Sequence, residues 1–270
     1  MPTPQPGILL PLPPLCRYLV FSLEPDTDVA AGLTALRQVA DGEHTVAGIG
    51  QAPLSAIGRK LPGLKPFPPL SGPGVDIPST PAALWLWLRG DDRGELLLRS
   101  RHIEQALAPV FRLQESCDGF KHDTGRDLTG YEDGTENPTG EAATAAAIAA
   151  DGSSLVAVQR WLHNFSRFDA MQPEDRDNCI GRRRSDNEEL DDAPESAHVK
   201  RTAQESFSPE AFLLRRSMPW ADGMEAGLMF VAFGHTLDAF QAQMRRMIGL
   251  EDGIVDALFR FTRPVSGAYF

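Results

Sequence analysis

The 270-residue sequence has few cysteines, and their spacing excludes several kinds of site. Cys16, Cys117 and Cys179 form no CxxC or CxxCH pattern, so the sequence indicates neither a zinc site nor a cofactor attached through thioether bonds. Their odd number and wide separation indicate reduced, buried thiols. Reduced thiols are typical of the cytoplasm, which is the location that we expect.

Basic residues are scarce, and so are long apolar runs. There are 26 basic and 37 acidic residues, which gives a net charge of −11. This charge repels nucleic-acid phosphates and anionic lipid, so neither is expected as a partner. No run of about 18 apolar residues is present, and no membrane span is predicted. The proline-rich N-terminus lacks the basic residues of a secretory or twin-arginine leader.

The first half of the sequence alternates between strand and helix patterns. Its apolar and charged fractions, 42% and 23%, are those of an ordinary globular protein. Strands are predicted at residues 16–23, 44–49, 82–89 and 110–115, and helices at 29–40 and 93–107. A loop rich in glycine and proline separates the second and third strands, at residues 60–80. The order β-α-β-β-α-β is typical of a ferredoxin-like unit.

A long structured loop without periodicity, residues 117–140, precedes a second set of elements. Strands are predicted at residues 154–164, 212–218 and 228–233, helices at 174–181 and 237–248, and a closing element at 256–262. The predicted fold is therefore α+β, with two ferredoxin-like lobes whose antiparallel sheets resemble a dimeric α+β barrel. We expect the first lobe to cover residues 1–140 and the second to cover 141–270.

Three features carry side chains that could do chemistry. They are the GYEDG segment with Asp133, His198 in SAHVKR, and the pair Arg215 and Arg216 in FLLRRSMPW. Each feature alone is weak evidence for a catalytic or binding site. An aspartate beside glycine is common in turns, and single histidines and arginines are often structural. His122 and His163 have no partner that the sequence reveals.

Together, GxxDG followed by His198 and Arg215 resembles the dye-decolourising peroxidase family. Other segments resemble its bacterial B-type branch: IGR at 180–182, ELDD at 189–192, LLRRSMPW at 213–220, QMRRMIGL at 243–250 and DALFRFTRPVSGAYF at 256–270. The resemblance covers essentially the whole chain.

The resemblance implies a peroxidase that holds one non-covalent haem b per chain in its second lobe. His198 would be the axial ligand of the iron, Asp133 would transfer a proton between the two oxygens of hydrogen peroxide, and Arg215 would stabilise the departing charge. The enzyme would oxidise organic donors such as dyes and phenols by way of a ferryl intermediate. Successive strand residues face opposite sides, so only one of the two arginines can face the haem, and the resemblance favours Arg215 over Arg216.

Two further residues would support the haem. Asp256 matches the family's acid that accepts a hydrogen bond from the axial histidine, and Arg182 of IGR matches the arginine that binds a haem propionate. Ser217 stands where many B-type relatives have an asparagine in the network around peroxide. The resemblance also implies a homo-oligomer.

Three other functions are compatible with parts of this pattern. A protein that binds or handles haem without peroxidase turnover would need His198 but not Asp133 and Arg215. A related haem enzyme acting on chlorite or on porphyrin propionates would share the two lobes but not the GxxDG motif. An interaction module would bind no cofactor.

Overall fold

The computed structural model describes residues 3–270 as an α+β chain. Its strands are β1 (Leu15–Leu23), β2 (Thr45–Ile49), β3 (Leu70–Gly72), β4 (Val75–Ile77), β5 (Leu84–Gly90), β6 (Phe111–Phe120), β7 (Leu155–His163), β8 (Leu214–Arg215), β9 (Met218–Asp222), β10 (Glu225–Gly234), β11 (Thr262–Pro264) and β12 (Ala268–Tyr269). Its α-helices are α1 (Val29–Val39), α2 (Gln51–Ala56), α3 (Arg93–Leu107), α4 (Gly140–Ala147), α5 (Phe165–Ala170), α6 (Pro173–Ile180), α7 (His198–Thr202) and α8 (Asp238–Met247).

Helix α3 shows why the sequence pattern predicts its bounds well. Its N-cap residue, Asp92, accepts a hydrogen bond from Glu95 N at 2.8 Å. Leu96, Ile103 and Leu107 are buried at helical spacing, so one face of the helix packs against the sheet while the charged face is solvated.

Eight strands form a continuous antiparallel path in the order β11-β7-β10-β9-β6-β1-β5-β2. Four strands of this path come from each half of the chain. When the four are numbered along the chain, they lie side by side in the order fourth, first, third, second. This is the order of a ferredoxin-like unit, and it confirms the predicted fold class. The halves meet where β6 pairs with β9 at Gly119 and Trp220. The division into lobes at residue 140 stays a prediction.

Strand β5 is buried on both faces and joins two cores. Leu86 and Leu88 pack with residues of α1 and α3. Trp85 and Trp87, on the opposite face, pack with Phe233 and other residues of the second half. The unbroken apolar pattern of AALWLWLR follows from this double burial.

The glycine- and proline-rich segment at residues 60–80 is more ordered than its composition predicts. It contains the short hairpin β3–β4. Phe67 and Ile77 are 1% exposed and belong to the same cluster as Phe240 of α8 and Tyr269. The loop is therefore anchored on the second half by its apolar side chains.

Several elements differ from the sequence-based expectations, among them the short helices α2, α5 and α7, which no sequence pattern predicted. Strand β6 continues to Phe120 because its pairing with β1 extends that far, so the long loop begins later than residue 117. The strand predicted at 212–218 is divided into β8 and β9, because Val231 N donates to the hydroxyl of Ser217 at 3.3 Å. Helix α4 was not predicted, and its buried side chains are alanines.

Within residues 3–270, no helix combines the length and the apolar character that crossing a membrane requires.

Candidate active site

Asp133 lies on a tightly folded loop between β6 and α4. Asp127 N donates to Tyr131 O and Gly130 N donates to Asp127 O, each at 2.8 Å, and Asp133 N donates to Gly125 O at 3.2 Å. These hydrogen bonds pair main-chain groups that would bind water in a less ordered loop. They hold the carboxylate of Asp133 in a defined place.

Arg215 faces Asp133 from strand β8. Its Nη1 lies 3.4 Å from Oδ1 of Asp133, and each side chain is 22% exposed. The pair is therefore sheltered but reachable by a small molecule. A carboxylate and a guanidinium at this distance can both contact one bound oxygen species, the first as a proton acceptor and the second as a fixed positive charge.

Arg216 points away from this pair. Its Nε and Nη2 donate to Ile8 O and Leu9 O, each at 2.9 Å. Burial, together with the nearby charge of Arg89, lowers the pKa of Arg216 to about 10. The strand alternation that predicts opposite directions for the two arginines is thus present, with Arg215 on the side of Asp133.

His198 is the first residue of α7 and is held by Asp256. Its Nδ1 lies 2.8 Å from Oδ2 of Asp256, which is 1% exposed. The other carboxylate oxygen accepts from Leu258 N at 2.8 Å, as the N-cap of a short 3-10 helix at Ala257–Arg260. Since an ionised carboxylate only accepts, this contact favours the tautomer with the ring proton on Nδ1.

The second ring nitrogen of His198 is available for a ligand. No described residue forms a hydrogen bond with Nε2, and the side chain is 21% exposed. A neutral imidazole whose Nδ1–H is held by a carboxylate presents a lone pair at Nε2, which is the donor that haem iron takes. This donor set fits the cofactor implied by the sequence.

Arg182 lies just after α6 and is paired with carboxylates. Its Nη2 donates to Glu136 at 2.7 Å and to Glu189 at 3.0 Å, while Nη1 donates to Asn187 O at 3.1 Å. The side chain of Arg182 is 12% exposed, whereas the side chains of Glu136 and Glu189 are 68% and 55% exposed. Such solvated ion pairs are weak, so a ligand's carboxylate could replace either of them. The propionate role of Arg182 stays a prediction.

The IGR segment also positions His198 through its glycine. Gly181 ends α6 with φ +90°, in the left-handed region that favours glycine. A Cβ at this position would lie 2.3 Å from Cγ2 of Val199, the neighbour of His198. The absence of a side chain therefore lets α6 and α7 approach closely.

Two contacts that the sequence did not reveal tie the Asp133 loop to its surroundings. Tyr131 Oη donates to Asp177 of α6 at 2.6 Å, and burial followed by this bond raises the pKa of the phenol. Gln204 donates from Nε2 to Glu136 O at 2.9 Å and accepts at Oε1 from Leu213 N at 3.1 Å. Tyr131 and Asp177 are separated by tens of residues, as are Gln204 and Glu136, and no sequence pattern links them.

The structure gives His163 the partner that the sequence could not identify. Its Nε2 lies 3.0 Å from Oδ2 of Asp127 and its Nδ1 lies 2.7 Å from the hydroxyl of Thr262. Asp127 also accepts from the main chain and hydroxyl of Thr129. This network joins the Asp133 loop to the end of β7.

The predicted site residues are thus brought together as two pairs, Asp133 with Arg215 and His198 with Asp256. Across residues 3–270, neither a hydrogen bond nor an ion pair connects one pair directly to the other. Arg182 connects to the Asp133 loop through Glu136. One pair offers acid-base chemistry beside a fixed charge, and the other offers an oriented nitrogen ligand.

Comparisons with known proteins agree with this fold. The family model described as "Dyp-type peroxidase, C-terminal" matches residues 124–270. The "Dye-decolorizing peroxidase" of Rhodococcus erythropolis is 31% identical over 292 aligned positions, which cover 99% of this chain and 85% of the relative. That of Mycolicibacterium paratuberculosis is 30% identical, with 99% and 82% covered.

Solved structures show the same two-lobed class of protein. A dye-decolorizing protein from Vibrio cholerae superposes with a TM-score of 0.88 at 28% identity, covering 98% of this chain and 95% of its own. DyPB of Rhodococcus jostii also has a TM-score of 0.88 at 28% identity, with 99% and 94% covered. An arginine-to-leucine variant of that enzyme was solved in complex with haem. The chain belongs to the dye-decolourising peroxidase family.

Proposed function

We propose that this chain is a haem-dependent peroxidase of the B-type branch, which reduces hydrogen peroxide and oxidises organic donors such as dyes and phenols. The observation that carries the proposal is the presence of both residue pairs in one chain. The Asp133–Arg215 pair can act on peroxide, and the His198–Asp256 pair can hold a haem. When bound, a haem supplies the redox-active iron that splits peroxide and draws electrons from donors.

Three residues would hold the haem. His198 would bind through Nε2, with the carboxylate of Asp256 fixing the ring and strengthening its donation. Arg182 would bind a propionate in place of one of its exposed glutamates. The three cysteines are free and buried, which agrees with one haem b held without a covalent bond.

Asp133 and Arg215 would carry out the proton transfer and the charge stabilisation. The carboxylate of Asp133 would take the proton from one peroxide oxygen and deliver it to the other, which then leaves as water. The guanidinium of Arg215 would stabilise the negative charge that develops on the departing oxygen. A fixed cation in a sheltered site needs no reorganisation as that charge appears.

A haem-handling protein is the alternative function that the sequence leaves open. Such a protein needs the axial ligand and propionate contacts but has no use for a proton acceptor beside a guanidinium. The 3.4 Å contact between Asp133 and Arg215 supports the peroxidase.

The test is a visible spectrum of the reconstituted protein before and after one equivalent of hydrogen peroxide is added by rapid mixing. We expect a Soret band that shifts with peroxide and returns when a phenolic donor is added. His198→Ala should lose most of the haem. A Soret band indifferent to peroxide would support haem handling, and no band at all would contradict haem binding.

We further propose a cytoplasmic homo-oligomer with lobes at residues 1–140 and 141–270. The reduced, buried cysteines support the location. Light scattering after size-exclusion chromatography measures the oligomeric state, and a monomer at micromolar concentration would contradict the proposal.

A further inference from the structure

The side chain of Asn137 pairs with the main chain of Arg215. Its Oδ1 accepts a hydrogen bond from Arg215 N at 2.8 Å, and its Nδ2 donates one to Arg215 O at 2.9 Å. A primary amide offers a donor and an acceptor side by side, as a neighbouring strand does. Asn137 therefore acts as a one-residue strand partner.

Among residues 3–270, no strand lies on the edge of β8 to which Asn137 binds. Arg216 N donates to Val231 O of β10 at 2.7 Å, and successive strand residues direct their main-chain groups to opposite edges. Arg215 N and O thus face away from β10, which is the partner of β8 in the described sheet. Without Asn137, Arg215 N would lose its protein partner, and Arg215 O would keep only a long hydrogen bond from Nη1 of Arg216 at 3.5 Å.

Asn137 reaches this edge because the chain turns sharply after Asp133. Asn137 N donates to Gly134 O at 3.0 Å, and Gly134 has φ +81°, where glycine is favoured. A Cβ on Gly134 would lie 3.2 Å from Nδ2 of Asn137. The turn therefore makes Asp133 and Asn137 parts of one compact unit.

A second amide joins the same two segments. Gln204, 8% exposed, bonds to Glu136 O and Leu213 N. Glu136 is the neighbour of Asn137, and Leu213 lies two residues before Arg215. Gln204 keeps the loop and strand close but does not contact Arg215, so Asn137 is the residue of this loop that holds the main chain of Arg215.

We infer that Asn137 is a positioning residue, which sets the 3.4 Å contact between Asp133 and Arg215 by holding the main chain of Arg215. The structural part of this inference stands on the hydrogen bonds alone, and its consequence for turnover rests on the proposed peroxidase function. Displacement of a reacting group by about 1 Å can cost on the order of 100-fold in rate, so this placement controls the reaction with peroxide.

The structural part is tested by amide hydrogen exchange, followed by NMR on the protein without haem. Asn137→Ala removes the acceptor for Arg215 N, whereas Asn137→Asp keeps an acceptor there and replaces the donor with a second oxygen. We expect the Arg215 amide to exchange up to about tenfold faster in Asn137→Ala and to stay protected in Asn137→Asp. The Arg216 amide, bonded to β10, is the internal control and should not change.

Equal exchange of the Arg215 amide in the wild type and Asn137→Ala would overturn the inference. If Asn137→Ala does not fold, Gly134→Ala serves instead, because its Cβ displaces the amide of Asn137. Faster exchange at Arg215 is then expected, and unchanged exchange in a folded Gly134→Ala protein would overturn the inference.

The catalytic part is tested by the second-order rate with peroxide in the haem-loaded enzyme. Asn137→Ala should reduce it about 10- to 100-fold, with the Soret band and the KM for the organic donor unchanged. In a protein that already carries Arg215→Leu, Asn137→Ala should reduce this rate by less than a further factor of about two, because it acts through Arg215.

The two hypotheses fail in different ways. A wild-type protein that does not react with peroxide would contradict the proposed function while leaving the exchange result intact. In the other case, the wild type reacts with peroxide, but the rate losses from Asn137→Ala and Arg215→Leu multiply in the double variant. That result would show that Asn137→Ala loosens the site in general, and it would overturn the positioning role.

Discussion

Nε2 of His163 lies 3.0 Å from Oδ2 of Asp127, and this contact joins the end of β7 to the loop that carries Asp133. Burial by itself raises the pKa of Asp127, but the hydrogen bond and charge of His163 and the hydrogen bonds from Thr129 together lower it below the ordinary 3.8. The ionised form of Asp127 is therefore stabilised by folding.

The first prediction concerns acid stability. A carboxyl group whose pKa is lower in the folded than in the unfolded chain stabilises the fold above its ordinary pKa, and this contribution is lost as the pH falls through the folded pKa. The free energy of unfolding should therefore fall more steeply between about pH 5 and pH 2 in the wild type than in Asp127→Asn. Urea unfolding of the haem-free protein measures it.

The free energy of unfolding of Asp127→Asn should also be about 1.5–3 kcal/mol lower at neutral pH, because a charged acceptor of several buried hydrogen bonds is removed. Asp191→Asn, at an exposed carboxylate, is the matched control and should change neither quantity. Parallel pH curves for the wild type and Asp127→Asn would contradict the prediction.

The second prediction separates the two neighbouring arginines. Arg215→Leu should keep its haem but react with peroxide about 10²–10³-fold more slowly, since it loses the charge beside Asp133. Arg216→Leu should react within a few-fold of the wild type but lose about 1–3 kcal/mol of stability, because Ile8 O and Leu9 O lose their donors. Stopped-flow absorbance and urea unfolding make the two measurements, and the reverse pattern would assign the catalytic role to Arg216.

The third prediction concerns the support of His198. Asp256→Asn preserves the shape of the side chain but removes the charge that orients the ring, so haem affinity should fall about 10- to 100-fold. A haem titration followed at the Soret band measures this. Glu195→Gln is the control, because Glu195 is 73% exposed and lies three residues from His198. Equal affinity in Asp256→Asn and the wild type would be incompatible with the proposed support.

The fourth prediction tests the contact between α6 and α7. Gly181→Ala introduces a Cβ 2.3 Å from Cγ2 of Val199, at a residue with a left-handed backbone conformation. We expect the free energy of unfolding to fall by about 1–3 kcal/mol and the haem occupancy to decrease. Gly253→Ala provides the comparison, since Gly253 has φ +82° but no atom within 4 Å of the added Cβ. If both variants lose the same stability and keep all their haem, the close approach has no role in placing His198.

Local patterns identified most of the secondary structure. The bounds predicted for α3 match, because its cap and its apolar spacing are local properties. The end of β6 could not be predicted, since CDGF has little strand character alone and is extended by its pairing with β1. The break between β8 and β9 depends on a bond from Val231, which is distant in the sequence.

The sequence by itself determined the fold class and the candidate residues Asp133, His198 and Arg215, because residue types and their order are visible in a chain. The tertiary structure alone decided which side chains meet. The contacts of Asn137 with Arg215, of Gln204 with Glu136, and of His163 with Asp127 join positions tens of residues apart. Folding brings such groups together through burial of the apolar faces around them, and that burial determines positions that no local pattern encodes.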